Sequence, residues 1–148
     1  MKTYFADTNF YLRFILRDNR LQAKKTDEYL EEAKKGNIEI TFLSSIILEM
    51  DYVLRSVYSL DRGEITKYLG TLIETPYLNI EDRNVWAGVF EIYQSKKISL
   101  IDIYLHLKAE KNNAEVLSFD KDFRKLARMR INWPNTLSDI VGDKKPVN

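Results

Sequence analysis

Acidic side chains stand at four separated points of the chain, each where a strand or helix should begin or end. Asp7 closes "KTYFAD", Glu49 lies in "SSIILEM", Asp102 in "SLIDIY" and Asp120 in "VLSFDKDF". Taken singly, most have an ordinary role to play. Asp7 suits the N-cap of a helix starting near Phe10, because an aspartate there accepts a free backbone N–H. Asp102 follows Ser99 by three residues and fits a capping box, yet the helix it opens is almost wholly apolar, so its first turn should enter the protein. Glu49 borders an apolar stripe of Ile46, Met50, Val53 and Val57, where a carboxylate is costly unless something meets it. If Ser45 caps that helix, Glu49 is one position too late to complete a capping box. Asp120 directly follows a strand-like run and is the site residue of its block, with Asp122 as the helix-side or solvent-side acid.

Carboxylates gathered without a counter-charge repel, and some must take up protons. A hard divalent ion removes that difficulty: Mg²⁺, or Mn²⁺ in its place, binds oxygen ligands, retains waters and uses few carboxylates. Such an ion can orient a water toward a phosphodiester and neutralise charge on the phosphoryl oxygens, with room for a second ion ~4 Å away. The chain has no cysteine and one histidine, so thiol catalysis and zinc–thiolate sites are excluded.

The elements that must position these acids alternate. A strand over Thr3–Ala6 precedes a short helix, "NFYLRFILRD", and a highly charged one, "RLQAKKTDEYLEEAKK", which stops at Gly36-Asn37. "IEITFL" reads as a second strand. Two helices follow, the second with Ile65, Tyr68, Leu69, Leu72 and Ile73 at amphipathic spacing, and Pro76 ends it. "YLNI" is a short strand, "EDRNVWAGVFEIYQSKK" a helix and "SLIDIYLHLKAEKNN" a helix packed on several sides. "AEVLSF" looks like a buried strand, "DKDFRKLARM" a short helix and "INWPN" a last strand or edge. This order predicts an α/β domain with a largely parallel sheet covered on both faces. In such sheets ligands bind beyond the carboxyl ends of the strands, where Asp7 and Asp120 both fall. Residues 1–140 read as one domain and 141–148, "GDKKPVN" with the residue before it, as a loose tail.

At 148 residues the chain can bury roughly 68–70% of its unfolded surface without a disulfide or metal staple. Its formal net charge of +1 gives no global pull toward nucleic acid, so any such contact must be local. No window approaches the ~18 apolar residues of a membrane span, and no secretory leader is visible, which points to a cytoplasmic protein without a membrane partner.

The four blocks "FADTNFYLRFILRD", "SSIILEM", "ISLIDIYLHLKA" and "VLSFDKDF", in that order and spacing, resemble the acidic blocks of the PIN domain, and more narrowly of the VapC-type toxins. The resemblance runs from about Lys2 to about Pro134. It implies a three-layer α/β/α sandwich with a central, mostly parallel sheet. It also implies a metal-dependent endoribonuclease that leaves 5′-phosphate and 3′-hydroxyl ends. Block by block, the acids carried over are Asp7, Glu49, Asp102 and Asp120, around Mg²⁺ or Mn²⁺. Thr8 and Asn9 occupy positions that help hold the first acid, and Ser118 stands two residues before the fourth. RNA as substrate, a cognate antitoxin protein and a homodimer are further implications.

Arg13 and Arg17 on the first helix, and Arg124 and Arg128 after the Asp120 block, start at the expected rim and are candidates to grip RNA phosphates, although each equally suits a solvated helix face. His106 reads first as a packed or partly exposed histidine. Other classes fit less well. A PIN-like module that binds RNA with little catalysis keeps the fold, and complete acidic blocks argue against it. A receiver domain would show paired acids after the first strand and a lysine ending the last, and "INWPN" has none. A dehalogenase-type phosphatase would have an aspartate where Asn9 stands.

Overall fold

The computed structural model describes residues 1–129 and Ile140. Among the described residues three parallel strands form one sheet in the order β1–β2–β3: β1 (Lys2–Phe5), β2 (Ile38–Phe42) and β3 (Asn79–Ile80). The register sets Lys2 against Ile38, Tyr4 against Ile40 and Phe42 against Ile80. Parallel neighbours need long crossovers. Here α1 (Thr8–Leu16) and α2 (Arg20–Lys34) join β1 to β2, and α3 (Ser44–Ser56) and α4 (Arg62–Ile73) join β2 to β3. The chain continues through α5 (Arg83–Tyr93), α6 (Leu100–Lys111) and α7 (Asp122–Ala127). The α/β class read from the alternation is therefore the one adopted, and all seven expected helices are present among the described residues.

Helix starts follow local chemistry. The Asp7 carboxylate accepts the Phe10 N–H at 3.0 Å and opens α1, and Asn19 does the same for α2 through Gln22 at 3.0 Å. Asp61 and Glu64 form a reciprocal capping box on α4. Ser99 accepts the Asp102 N–H at 3.3 Å and opens α6.

The core centres on β2. Tyr11 of α1 stacks on Phe42 at 3.9 Å and donates its hydroxyl to the Thr41 carbonyl at 3.2 Å. Trp86 of α5, fully buried, stacks on Tyr104 of α6 at 4.4 Å and donates its indole N–H to Ser44 Oγ at 2.9 Å. One aromatic pair thus locks α5, α6 and the start of α3 together.

Several expectations need correction. Helix α3 begins at Ser44, with Leu43 as its N-cap, and buries Ile47, Met50 and Leu54; Val57 is exposed. The apolar stripe is thus rotated by one residue from the one read over Ile46, Met50, Val53 and Val57. Strand β1 is not buried: among the described residues it pairs with β2 alone, and Phe5 is 68% exposed. Residues 114–119 form no strand. Local side-chain-to-backbone bonds compete with ladder formation there, as the Asp120 N–H goes to Ser118 Oγ at 3.0 Å. Helix α6 buries Leu100, Ile103 and Leu107, keeps Tyr104 half-buried against Trp86, and leaves Ile101 and Leu105 exposed. The expected strand at "INWPN" and the tail at 141–148 lie outside the described residues.

Candidate active site

Carboxylate oxygens of Asp102, Asp120 and Asp122 all lie within 4.8 Å of one another. Three local features bring them there. Asp102 sits in the first turn of α6, half-buried, with its N–H taken by Ser99. Asp120 is fixed by a chain of two bonds: its N–H to Ser118 Oγ, and its Oδ1 receiving the Asp122 N–H at 2.9 Å. Asp122 begins α7, which packs against α6. Acids in first helical turns benefit from the free N–H groups and the positive end of the dipole, so both helix starts favour negative charge where the cluster forms. The Lys125 ammonium, one turn along α7, lies 3.6 Å from Asp122 and offsets part of that charge.

Asp122, read as a helix-side acid, is thus a full member of the cluster. Its sequence signal was its position in the first turn of α7; that this turn meets α6 is a tertiary fact. An all-oxygen donor set of three close carboxylates, without sulfur or imidazole, fits a hard dication such as Mg²⁺ or Mn²⁺.

Asp7 and Glu49 are not members of that cluster. Asp7 is exposed at the carboxyl end of β1 and engaged in capping α1. Glu49 is exposed on α3, so the burial cost argued for it does not arise. Beside Asp7, Thr8 is 6% exposed and its Oγ1 has no hydrogen-bond partner among the described residues, while Asn9 is exposed. A buried hydroxyl without a partner is uncommon and marks a polar spot left open.

The candidate phosphate-gripping arginines divide. Arg13 pairs with Asp18 at 2.9 Å and Arg17 with Asp27 at 2.6 Å. The Asp27 carboxyl is accordingly held below its ordinary value by Arg17. Arg124, by contrast, is exposed and forms no ion pair among the described residues. It lines a cleft of about 560 Å³ with Ser118, Phe119, Asp120 and Phe123. His106 lines the same cleft. Its Nε2 lies 3.3 Å from Glu110 Oε2, but outside hydrogen-bonding geometry, and is buried with no hydrogen-bond partner among the described residues.

Two polar networks tie α5 to its neighbours, one to α6, which carries Asp102, and one to α3, and neither was singled out from the sequence. Asp82, in a left-handed conformation (φ 56°) at the start of α5, receives the Tyr104 hydroxyl at 2.5 Å and the Lys108 ammonium at 2.6 Å, both from α6. Burial would raise the Asp82 carboxyl, but the bonds from Lys108 and Tyr104 take it below its ordinary value. Asp51 of α3, 5% exposed, accepts from Tyr93 at 2.6 Å and Arg55 at 3.3 Å. Burial, and then that bond to Asp51, push the Tyr93 phenol up to about 12.

Among the described residues no helix is long and apolar enough to cross a membrane. Comparison with known proteins places these features in a family. The chain is 23% identical over 127 residues to the VapC ribonuclease of Aquifex aeolicus (strain VF5), an alignment covering 85% of this chain and 93% of that protein. No solved structure gives a significant match. The family model of the PIN domain matches residues 4–129, from β1 to just past α7. The chain belongs to the PIN domain family.

Proposed function

We propose that this chain is a Mg²⁺-dependent endoribonuclease, able to use Mn²⁺, that hydrolyses RNA phosphodiester bonds as the toxin of a toxin–antitoxin pair. The observation that carries the reading is the convergence of Asp102, Asp120 and Asp122 from two helix starts into one carboxylate cluster. The likeness to a VapC ribonuclease supports RNA as the substrate. A bound dication would supply an activated water and neutralise charge on the phosphoryl oxygens.

The chain's own residues hold and orient. Asp102 and Asp120 bind the ion, and Asp122 adds charge and receives its first-turn position from the Asp120 side chain. Ser118 fixes the Asp120 backbone. Asp7 and Glu49 complete the catalytic set, with Thr8 and Asn9 holding Asp7; the open Thr8 hydroxyl supports a polar ligand or hydrated group arriving beside Asp7. Cleavage leaves 5′-phosphate and 3′-hydroxyl ends. The protein works in the cytoplasm as a homodimer, restrained by a cognate antitoxin.

A second reading, an RNA-binding module with little catalysis, is favoured by one observation: Asp7 and Glu49 stand outside the cluster. RNA cleavage separates the two. The parent should cut RNA with Mg²⁺ or Mn²⁺ and stop with a chelator, and Asp120→Asn should lose at least about 100-fold in rate, as expected when charge stabilisation at the reacting centre is removed. Full activity in Asp120→Asn refutes the nuclease assignment. Full activity in Asp7→Asn removes Asp7 from the machinery but leaves the cluster standing.

A further inference from the structure

Phe119, between Ser118 and Asp120, is completely exposed, as is Leu117 two residues before it. Both side chains stand on the stretch of chain that leads into the carboxylate cluster, and this strip does not hang loose. The bonds from the Asp120 N–H to Ser118 and from the Asp122 N–H to Asp120 fix the turn that presents it. Phe119, Phe123, Arg124 and Asp120 line one cleft, whose volume of about 560 Å³ suits a small-molecule-sized moiety.

The charge beside this strip has a definite sign. Residues 121–128, "KDFRKLAR", carry four cations (Lys121, Arg124, Lys125, Arg128) and one acid (Asp122) in a chain whose formal net charge is only +1. Lys125 is turned toward Asp122, while Lys121, Arg124 and Arg128 form no ion pair among the described residues. Arg13 and Arg17 are already neutralised by Asp18 and Asp27. An exposed aromatic ring, the Arg124 guanidinium without an ion pair among the described residues, and Asp120 of the cluster therefore line one cleft. A nucleotide presents the matching parts: a π-face to stack and a phosphate to pair, next to a phosphodiester for the ion.

We propose that Phe119 is the stacking platform for the base next to the cleavage point, with Arg124 holding the adjoining phosphate. A base inside a duplex already stacks on its neighbours and cannot offer its face to a side chain. The inference rests on the nuclease reading for the identity of its ligand.

The test is equilibrium binding, by fluorescence anisotropy, of an eight-nucleotide labelled RNA, single-stranded or annealed to its complement, to protein silenced by Asp102→Asn. In that background Phe119→Ala should weaken single-strand binding by about 5- to 150-fold, the range for loss of one base–aromatic stack, and leave duplex binding unchanged. Phe119→Trp should restore it, and Phe119→Leu, apolar but without a π-face, should not. Arg124→Gln should lower the salt dependence of binding by about one in the log–log slope. Single-strand binding within two-fold of the parent in Phe119→Ala, rescue by Phe119→Leu as good as by Phe119→Trp, or an equal loss on duplex each overturns the proposal. Cleavage by the unsilenced protein keeps the two readings apart. If it cuts RNA and Phe119→Ala binds normally, only the stacking proposal falls; if it neither cuts nor binds RNA, both fall.

Discussion

Replacing Asp120 by asparagine should reverse the sign of its effect on stability depending on whether Mn²⁺ is present. In the absence of a dication, Asp120 faces two like charges, Asp102 and Asp122, within 4.8 Å. Two unit charges at that separation repel by about 0.9 kcal/mol in water and by more in a lower dielectric. Asp120 is exposed, so the water limit is the relevant one, and salt reduces it further. Removing two such pairs gives a gain of about 1–2 kcal/mol, or roughly 2–8 °C in melting temperature for a domain of this size. The substitution leaves the local geometry alone, because an asparagine Oδ1 accepts the Asp122 N–H as the carboxylate does. With Mn²⁺ at about 100 times its dissociation constant, the parent gains about 2.7 kcal/mol by mass action, and the variant, short of a ligand, should gain little. Thermal melts followed by circular dichroism, with chelator and with Mn²⁺, measure both. The curves should cross: variant above parent in chelator, below it in Mn²⁺. An Asp120→Asn protein less stable than the parent in chelator, or equally stabilised by Mn²⁺, refutes the reasoning that these carboxylates repel and share an ion.

Other expectations follow from the networks behind the cluster. Tyr93→Phe deprives the buried Asp51 carboxylate of its 2.6 Å donor and should cost about 1–3 kcal/mol in urea unfolding. Arg83 donates from one guanidinium to the carbonyls of Ile73, the last residue of α4, and of Thr75 and Leu78 beyond it; Arg83→Met strands these acceptors and should cost about 2–4 kcal/mol in the same assay. Burial, and then hydrogen bonding to Asp82, push the Tyr104 phenol up to about 12, as burial and Asp51 do for Tyr93. An acid whose folded pKa is raised supports the fold below its unfolded value, near 10, and withdraws that support as pH climbs through the folded value. Stability should therefore fall between about pH 10 and pH 12, and tyrosinate absorbance should show these phenols ionising after the exposed ones.

The helices were legible because their ends are written in single residues: Asp7, Asp61 with Glu64, and Ser99 each cap where local chemistry says they should. The phase of α3 was not, because Ile46, Ile47 and Leu48 are all apolar and admit two faces; the stacking of Trp86 and its bond to Ser44 belong to packing that no local pattern encodes. The β-branched and aromatic runs at β1 and 114–119 looked buried because composition reports propensity and not pairing. In the structure one has a single neighbouring strand among the described residues and the other is a turn-fixed segment. Asp102 and Asp120 were found as acids at element ends. Asp122 needed α7 to pack on α6 before it could count. Buried Asp51 carried a signal that was available: it stands four residues after Ile47 and three before Leu54, a charge in the middle of an apolar stripe.

Anomalous diffraction from crystals grown or soaked with Mn²⁺ would locate the ion without reference to activity. The expected result is a peak within coordination distance, about 2.0–2.3 Å, of oxygens from Asp102 and Asp120, with Asp7 or Glu49 approaching if they complete the set. No peak at these carboxylates at saturating Mn²⁺, or one held by other side chains alone, would contradict the placing of the catalytic centre at the meeting of α6 and α7.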